Sequence, residues 1–247
     1  MEISDHLASL SADGRALASA AAQAGPDAAV PACPGWRVRD LLRHTGTVHR
    51  WATAFVVEGH RAYHPDGGEP DLDGDALLDW FGEGHGLLVD ALGSAPADLE
   101  CWTFLPGPSP LAFWARRQAH ETGIHRVDAE SARGGPLTPV APALAVDGID
   151  ELLAGFHARE KSRVRSDTPR TLRVHAVDTG ARWTVHLSTE PPRTVRGEGP
   201  VASADCTLSG TAEALYLTLW NRAPLSSVDT TGDREVATLW AATSAVG

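Results

Sequence analysis

Residues 36–59, WRVRDLLRHTGTVHRWATAFVVEG, contain the pattern that decides the fold of the first half of the chain. Apolar side chains recur there at helical spacing, which predicts an amphipathic helix with one buried face. They are Leu41, Val48, Ala52 and Phe55. Asp40 lies in the first turns of this helix, where a carboxylate is favourable because the N-terminal end of a helix is electropositive.

Three further segments of the first half show the same helical periodicity. They are residues 3–24, 76–92 and 109–132. Gly14 falls on the apolar face of the first of them, where the missing side chain permits close packing although it lowers helix propensity. A long loop rich in Gly, Pro and Asp is expected over residues 59–74. Four helices of this length predict a helical bundle.

The second half of the chain follows a different pattern. It begins after GGPLTPVAP at residues 134–142, which is the best candidate for a linker. We therefore expect two domains, at residues 1–140 and 141–247. Residues 147–161 still have a helical pattern, whereas residues 170–189 alternate apolar and polar around an Asp-Thr-Gly-Ala turn and predict an antiparallel hairpin.

A further strand and two short helices complete the predicted second domain. The strand is expected at residues 205–210, and the helices at residues 212–222 and 233–241. The predicted fold class is α+β with two domains. A four-helix bundle comes first, and a small α+β domain with antiparallel strands follows it.

Composition restricts the classes of protein to which the chain can belong. Of its 247 residues, 43% are hydrophobic and 21% are charged, which is a globular rather than a disordered composition. The net charge is −11 and there is no basic run. We expect no nucleic-acid partner, because binding to phosphates needs a basic face. No apolar run approaches the roughly 20 residues of a membrane span, so we expect no membrane partner.

The cysteines and the N-terminal segment suggest a cytoplasmic protein. Cys33, Cys101 and Cys206 are too few for a disulfide scaffold and form no C-x-x-C motif. We interpret them as reduced and mostly buried thiols of a cytosolic protein. Residues 1–20 contain Asp and lack a basic stretch followed by an apolar one, so they are unlike a signal peptide.

Histidine and glutamate side chains on two of the predicted helices suggest a metal site. Glu121 and His125 are four residues apart and share one helix face, although such a pair is also common on exposed faces without any function. His44 and His49 are five residues apart and point roughly 140° away from one another, so only one of them can reach the same ion. Spacing alone does not say which one. Two His and one Glu with an open fourth position form a known catalytic zinc pattern.

The start of the second helix resembles a known family. Residues 31–52, PACPGWRVRDLLRHTGTVHRWA, are similar to the corresponding segment of the mycothiol-dependent maleylpyruvate isomerase family. This family is part of the wider DinB-like group of metal-binding four-helix bundles. Gly35, Trp36 and His44, eight residues after the Trp, carry the resemblance. Arg37 departs from the family's pattern, because Ser or Thr is common at that position.

Two other segments resemble the same family. The pair Glu121 and His125 is similar to the second half of the family's metal site, and residues 208–240 are similar to its C-terminal domain. The resemblance implies that His44, Glu121 and His125 are metal ligands. His49 is then left as a hydrogen-bonding residue or a residue at the edge of the pocket.

The resemblance also implies a role for Arg222, which stands at the end of a C-terminal helix in the place of an Arg associated with activity. Arg222 is expected to act in catalysis and in cofactor binding, by holding a carboxylate of the substrate or a polar group of the thiol. Without the resemblance, a surface Arg that interacts with a helix dipole would be the simpler interpretation.

The resemblance further implies that mycothiol supplies the reacting sulfur, in agreement with the lack of a Cys beside the three ligands in any motif. A divalent metal would hold this thiol as its thiolate. Zinc is the expected metal, although nickel, cobalt or iron also accept such ligands. Addition of the thiolate to a cis double bond conjugated to a carbonyl, followed by rotation and elimination, would give the trans isomer.

Several functions remain open at this point. A substrate with a leaving group or an epoxide would turn the same addition into S-transfer, with a stable thioether as the product. The resemblance is to a varied family, so the electrophilic small-molecule substrate is not specified. A non-catalytic, metal-stabilised binding or regulatory protein on the same fold is the alternative. We expect a monomer or a homodimer.

Overall fold

Four long helices form the first half of the chain. The computed structural model describes residues 1–197 and 204–246. The helices are α1 (Ile3–Ala24), α2 (Val38–Glu58), α3 (Gly74–Ser94) and α4 (Pro110–Arg133). By their contacts the residues group into two units, Met1–Thr138 and Pro139–Gly247. The first unit is the four-helix bundle that the helical periodicity predicts.

Local hydrogen bonds explain where α2 and α4 begin. Asp40 accepts a hydrogen bond from the backbone N–H of Arg37 at 2.9 Å, so its carboxylate stabilises the first turn of α2. The Ser109 hydroxyl accepts a hydrogen bond from the backbone N–H of Ala112 at 3.2 Å, and Pro110 occupies the first turn of α4. These caps pair backbone N–H groups of the first turn and so fix the residue at which each helix begins.

Gly14 and Gly46 allow helices α1 and α2 to approach side chains of α3 closely. Gly14 of α1 lies against His85 of α3, and a Cβ atom added to this glycine would overlap the imidazole ring. Gly46 of α2 lies in the same way against the indole of Trp80 of α3. The predicted role of Gly14 in close packing is therefore confirmed. Overall, α1 packs mainly along α4, and α2 packs mainly along α3.

The buried face of α2 differs from the predicted one at Val48. Of the predicted apolar residues, Leu41, Ala52 and Phe55 are fully buried. Val48 is only half-buried, whereas the next residue, His49, is fully buried. A polar side chain can occupy the core at this position because it is hydrogen-bonded there.

A short helix opens the second unit. Helix α5 spans Pro142–Asp150 and continues as a π-helical segment, Glu151–Phe156. The helix therefore starts before the predicted residue 147 and ends before the predicted residue 161. Pro142 falls in the predicted linker, but a proline is favourable in the first helical turn, because the N–H that it lacks would be unpaired there.

A five-stranded mixed sheet forms the rest of the second unit. Its strands are β1 (Arg170–Ala176), β2 (Arg182–Leu187), β3 (Arg193–Arg196), β4 (Cys206–Gly210) and β5 (Asp229–Gly232), in the order β3-β2-β1-β4-β5. Strands β1 and β2 form the predicted antiparallel hairpin, with Val174 opposite Trp183. Strand β4 pairs with β1 in parallel, and β5 pairs with β4 antiparallel.

Two helices accompany the sheet. They are α6 (Ala212–Leu219) and α7 (Arg234–Thr243). The alternating residues of β1 and β2 that the sequence assigns to the core are all buried. Trp240 of α7 is also fully buried. The predicted α+β fold class is thus confirmed, although the sheet is mixed rather than purely antiparallel.

Two expectations about membranes and thiols can be compared with this fold. Within residues 1–197 and 204–246, no helix has both the length and the apolar character needed to cross a membrane. All three cysteines are free thiols. The expectation that they are mostly buried is wrong for Cys33 and Cys101, which lie in connecting segments and are partly exposed, and it is correct for Cys206.

Candidate metal centre

Side chains from α2 and α4 meet at one point of the first unit. His44 Nε2 lies 3.3 Å from Glu121 Oε1, and His125 Nε2 lies 3.2 Å from the same oxygen. One ligand-type atom of each residue lies within 4.8 Å of the other two. The structure thus brings together the three residues that were predicted as ligands. His44, rather than His49, is the histidine of α2 that reaches the other two.

The spacing of these atoms fits a small divalent cation. Two ligands of a tetrahedral zinc ion lie about 3.4 Å apart when each is about 2.1 Å from the metal. The side chain of His44 is 35% exposed, and that of His125 is 9% exposed. The cluster therefore has an accessible side as well as a buried one. Three protein ligands and an accessible fourth position are typical of a catalytic rather than a structural zinc site.

Asp128 orients the imidazole of His125. Its Oδ2 lies 2.9 Å from His125 Nδ1, and Asp128 is fully buried. A carboxylate only accepts hydrogen bonds, so the proton of the neutral imidazole lies on Nδ1 and the lone pair on Nε2. This is the tautomer that a ligating histidine needs, and a carboxylate on the second ring nitrogen is the usual support for such a ligand.

Arg117 engages the second oxygen of Glu121. Its Nη2 donates a hydrogen bond to Glu121 Oε2 at 3.0 Å from one helical turn earlier on α4. Burial tends to raise the pKa of Glu121, but hydrogen bonds with His125 and His44 and the charge of Arg117 hold that pKa well below its usual range. Glu121 is therefore a carboxylate whose Oε1 faces the two histidines.

The electrostatics of the cluster favour a positive charge between two carboxylates. Burial tends to lower the pKa of His125, but hydrogen bonds to Asp128 and Glu121 outweigh it and raise the pKa to about 9. The surroundings of His125 thus stabilise one unit of positive charge at the point where the three ligand-type atoms meet. A cation at this point would find the same two negative charges.

Trp36 and Cys33 lie beside the three residues. The indole of Trp36 packs edge-on against His44 at 5.1 Å and is stacked near His125 at 6.4 Å between ring centroids. Cys33 Sγ lies 3.7 Å from Asp128 Oδ2. No sequence motif places a cysteine near the ligands, but the tertiary structure brings the Cys33 thiol next to the carboxylate that orients His125.

His49 has the hydrogen-bonding role that the resemblance left to it. It lies five residues, about 1.4 helical turns, beyond His44 and is fully buried. Its Nε2 is 2.8 Å from the Thr122 hydroxyl. Burial, together with the nearby His85, lowers the pKa of His49 to about 3, so His49 is a neutral core residue.

Arg222 lies in the second unit, just after α6. Asn221 precedes it with a left-handed backbone (φ 59°), a conformation that Asn tolerates better than most residues. The backbone N–H of Arg222 donates to Leu217 O at 2.7 Å, and its Nη1 donates to Trp220 O at 2.9 Å. These bonds hold the half-buried Arg222 at the exit of the helix.

Two family models match almost the whole chain. The model described as the mycothiol maleylpyruvate isomerase N-terminal domain matches residues 7–130. The model described as the MDMPI C-terminal domain matches residues 143–239.

The chain belongs to the mycothiol maleylpyruvate isomerase family.

His44, Glu121 and His125 lie in the first matched segment, and Arg222 lies in the second. The resemblance seen in the sequence motifs is therefore confirmed.

Solved structures confirm the fold of this family member. A crystal structure of the mycothiol-dependent maleylpyruvate isomerase aligns with a TM-score of 0.63 at 12% sequence identity, covering 94% of this chain and 93% of that chain. A histidine-to-alanine mutant of the mycothiol-dependent maleylpyruvate isomerase aligns with a TM-score of 0.64 at 13% identity and the same coverage. Comparison with curated proteins finds no match. At these identities the structural likeness shows the fold alone.

Sequence reasoning missed two residues that contact the cluster. Asp128 follows His125 by three positions and Arg117 precedes Glu121 by four, so both share a helix face with the residue that they contact. That spacing was a usable signal. Asp40 lies four residues before His44, but its carboxylate bonds to the start of α2, in agreement with the role expected at the N-terminal end of that helix.

Proposed function

We propose that the chain is an enzyme that holds a divalent cation, with zinc the expected metal, through His44, Glu121 and His125. An ion held there would supply the charge that keeps mycothiol as a thiolate for addition to an electrophilic small molecule, and cis–trans isomerisation is the reaction that we favour. The observation that carries the proposal is the meeting of these three ligand-type atoms within 4.8 Å, in a member of the mycothiol maleylpyruvate isomerase family.

Each residue of the cluster has a separate task in this proposal. His44 and His125 offer imidazole nitrogens, and Glu121 offers Oε1 together with a negative charge. Asp128 keeps the proton on Nδ1 of His125, which leaves Nε2 free to bind. Arg117 engages Oε2 of Glu121 and so favours binding through Oε1 alone.

A bound divalent cation would lower the pKa of a thiol so that the thiolate predominates near neutral pH. The thiolate would add to the carbon β to the carbonyl of a cis double bond, and the displaced π electrons would move to the carbonyl oxygen. After rotation about the former double bond, which is now single, the electrons would return from the oxygen, the C–S bond would break, and the trans double bond and the thiolate would be restored. The partly exposed side of His44 gives the thiol and the electrophile a route from solvent.

Arg222 is proposed to hold a carboxylate of the substrate or a polar group of mycothiol. Replacing it by Gln should raise KM for the bound partner by about tenfold or more, since hydrogen bonds to charged groups contribute about 1.5–3 kcal/mol. Arg193→Gln, at an exposed position of β3, is the control and should leave KM unchanged. An unchanged KM in Arg222→Gln would contradict this role.

Metal content tests the proposal directly. The purified chain is supplied with zinc and dialysed, and about one ion per chain is expected to remain, because the ligands are already assembled. Glu121→Gln should lose this ion. Glu83→Gln is the matched control, since Glu83 pairs with Arg50 on the exposed surface and should retain the ion. A parent chain that binds no zinc would refute the proposal.

The fate of the thiol distinguishes the possible reactions. The zinc-loaded chain is incubated with mycothiol and a cis-configured, carbonyl-conjugated electrophile, and free thiol is titrated as product accumulates. Isomerisation leaves the thiol concentration unchanged, whereas S-transfer consumes one thiol for each product formed. Retention of zinc without turnover of such electrophiles would favour the alternative of a metal-stabilised binding or regulatory protein.

A further inference from the structure

A hydrogen bond between His49 and Thr122 connects the two helices that carry the proposed ligands. His49 Nε2 lies 2.8 Å from Thr122 Oγ1. On α4, Thr122 directly follows Glu121 in the chain. On α2, His49 lies five residues beyond His44, about 7.5 Å farther along the helix and on a different face. The bond therefore joins α2 to α4 next to Glu121 in the chain and within two turns of His44.

The position of the His49 ring is fixed by its surroundings. Its centroid lies 5.4 Å from the ring of Phe81 and 5.6 Å from that of His85, both on α3. His49 and Thr122 are both fully buried. Because α2 packs mainly along α3 and α4 mainly along α1, a bond from α2 to α4 acts at the less extensive contact. This hydrogen bond can therefore influence the distance between His44 on α2 and Glu121 on α4.

Stability of the fold does not by itself account for a histidine here. Nδ1 of His49 is buried and has no hydrogen-bond partner among the residues that the structure describes. An unpaired buried polar atom costs about 1–3 kcal/mol. An apolar side chain of similar volume would avoid this cost but would take the described hydrogen-bond partner from the buried Thr122 hydroxyl, so the pair gives little net stability. Its place between α2 and α4 points to another role.

We propose that His49 is a positioning residue for the metal centre. Through Thr122 it holds α2 and α4 at the separation at which His44, Glu121 and His125 can bind one ion. His49 itself does not contact the ion. The inference rests on the proposed function, because it requires that a cation binds to these three residues.

Three variants test this role. His49→Leu removes the hydrogen bond and nearly preserves the volume, whereas His49→Gln can place an amide atom near the position of Nε2. His157→Leu is the matched control, because His157 is also a buried histidine but belongs to the second unit and bonds to the Ser162 hydroxyl at 3.0 Å. Zinc affinity is measured by competition with a chelator, the absorption of bound cobalt reports ligand geometry, and thermal unfolding reports stability.

The expected results separate positioning from stability. His49→Leu should bind zinc about tenfold more weakly, as is usual when an outer-shell contact is lost. Its cobalt spectrum should change while its unfolding temperature stays close to that of the parent, because removal of the unpaired Nδ1 offsets the lost partner of the Thr122 hydroxyl. His49→Gln should recover the parent affinity to within about threefold. His157→Leu should bind zinc like the parent, whatever its unfolding temperature.

Failure of this inference can be told apart from failure of the proposed function. A parent chain without zinc refutes the proposed function. A parent that binds zinc, together with a His49→Leu variant of equal affinity, refutes only the positioning role. An equal loss of affinity in His157→Leu would also refute it, because a general effect of replacing a buried histidine would then explain both. Should His49→Leu not fold, Thr122→Val removes the same bond at nearly constant volume and decides the question.

Discussion

Replacing Asp128 by Asn tests how far zinc affinity depends on the orientation of His125. Asp128 is fully buried, and its Oδ2 lies 2.9 Å from Nδ1 of His125. Asn has nearly the same shape, so the change removes the negative charge and leaves little cavity. An amide oxygen still accepts a hydrogen bond, but a neutral acceptor holds the imidazole proton less strongly than a carboxylate does.

The magnitude follows from the kind of contact that is lost. Loss of an outer-shell partner typically lowers metal affinity about 10- to 100-fold, which is about 1.4–2.7 kcal/mol. This range agrees with the value of about 1.5–3 kcal/mol for a hydrogen bond to a charged group. Asp128 also contributes to raising the pKa of His125 to about 9, so near pH 7 weaker competition from protons should offset part of the loss in the variant.

The assay is competition for zinc with a chelator of known affinity, at a pH above the His125 pKa of about 9. There the loss should be at least about tenfold. Asp40→Asn is the matched control, because Asp40 bonds to the first turn of α2, and it should bind zinc like the parent. An Asp128→Asn variant within about twofold of the parent would show that the carboxylate does not support the ligand, and the reasoning from tautomer and charge would be refuted.

Two further predictions concern stability. Gly46→Ala should destabilise the bundle by about 1–3 kcal/mol, because the new Cβ would overlap the indole of Trp80. Gly82→Ala, with open space around it on α3, should be neutral or stabilising in the same thermal unfolding experiment, and equal effects of both changes would contradict the packing argument. His157 is buried, which lowers its pKa to about 4 from 6.5. As the pH falls, the unfolded chain therefore binds a proton at His157 before the folded chain does. The free energy of unfolding is unaffected by this histidine above pH 6.5 and decreases between pH 6.5 and about 4, by about 3 kcal/mol in total. Urea unfolding across this range should show a smaller pH dependence in His157→Gln, and an unchanged dependence would refute the assignment.

Helical periodicity predicted the first unit well. Residues 3–24 were predicted as a helix, and α1 has the same bounds. The prediction was wrong at Val48, because period alone does not distinguish a core position that accepts an apolar side chain from one that accepts a hydrogen-bonded histidine. The start of α5 at Pro142 was missed because proline marks both linkers and first helical turns.

Period-two alternation predicted the hairpin of the second unit but not the whole sheet. The buried residues of β1 and β2 follow the alternation, and a short turn joins the two strands. The parallel pairing of β1 with β4 joins Leu172 to Cys206, far apart in the sequence. No local pattern encodes such a pairing, because a parallel neighbour is chosen by packing across the whole unit.

For the metal centre, the sequence by itself determined that Glu121 and His125 share one face of a helix, because four residues are close to one helical turn. It left open whether His44 or His49 joins them, and a family resemblance was needed to choose. Only the tertiary structure brings His44 to within 3.3 Å of Glu121 and turns His49 toward Thr122. The physical reason is that side-chain spacing within a helix follows from backbone geometry alone, whereas the meeting of two helices depends on how their faces pack.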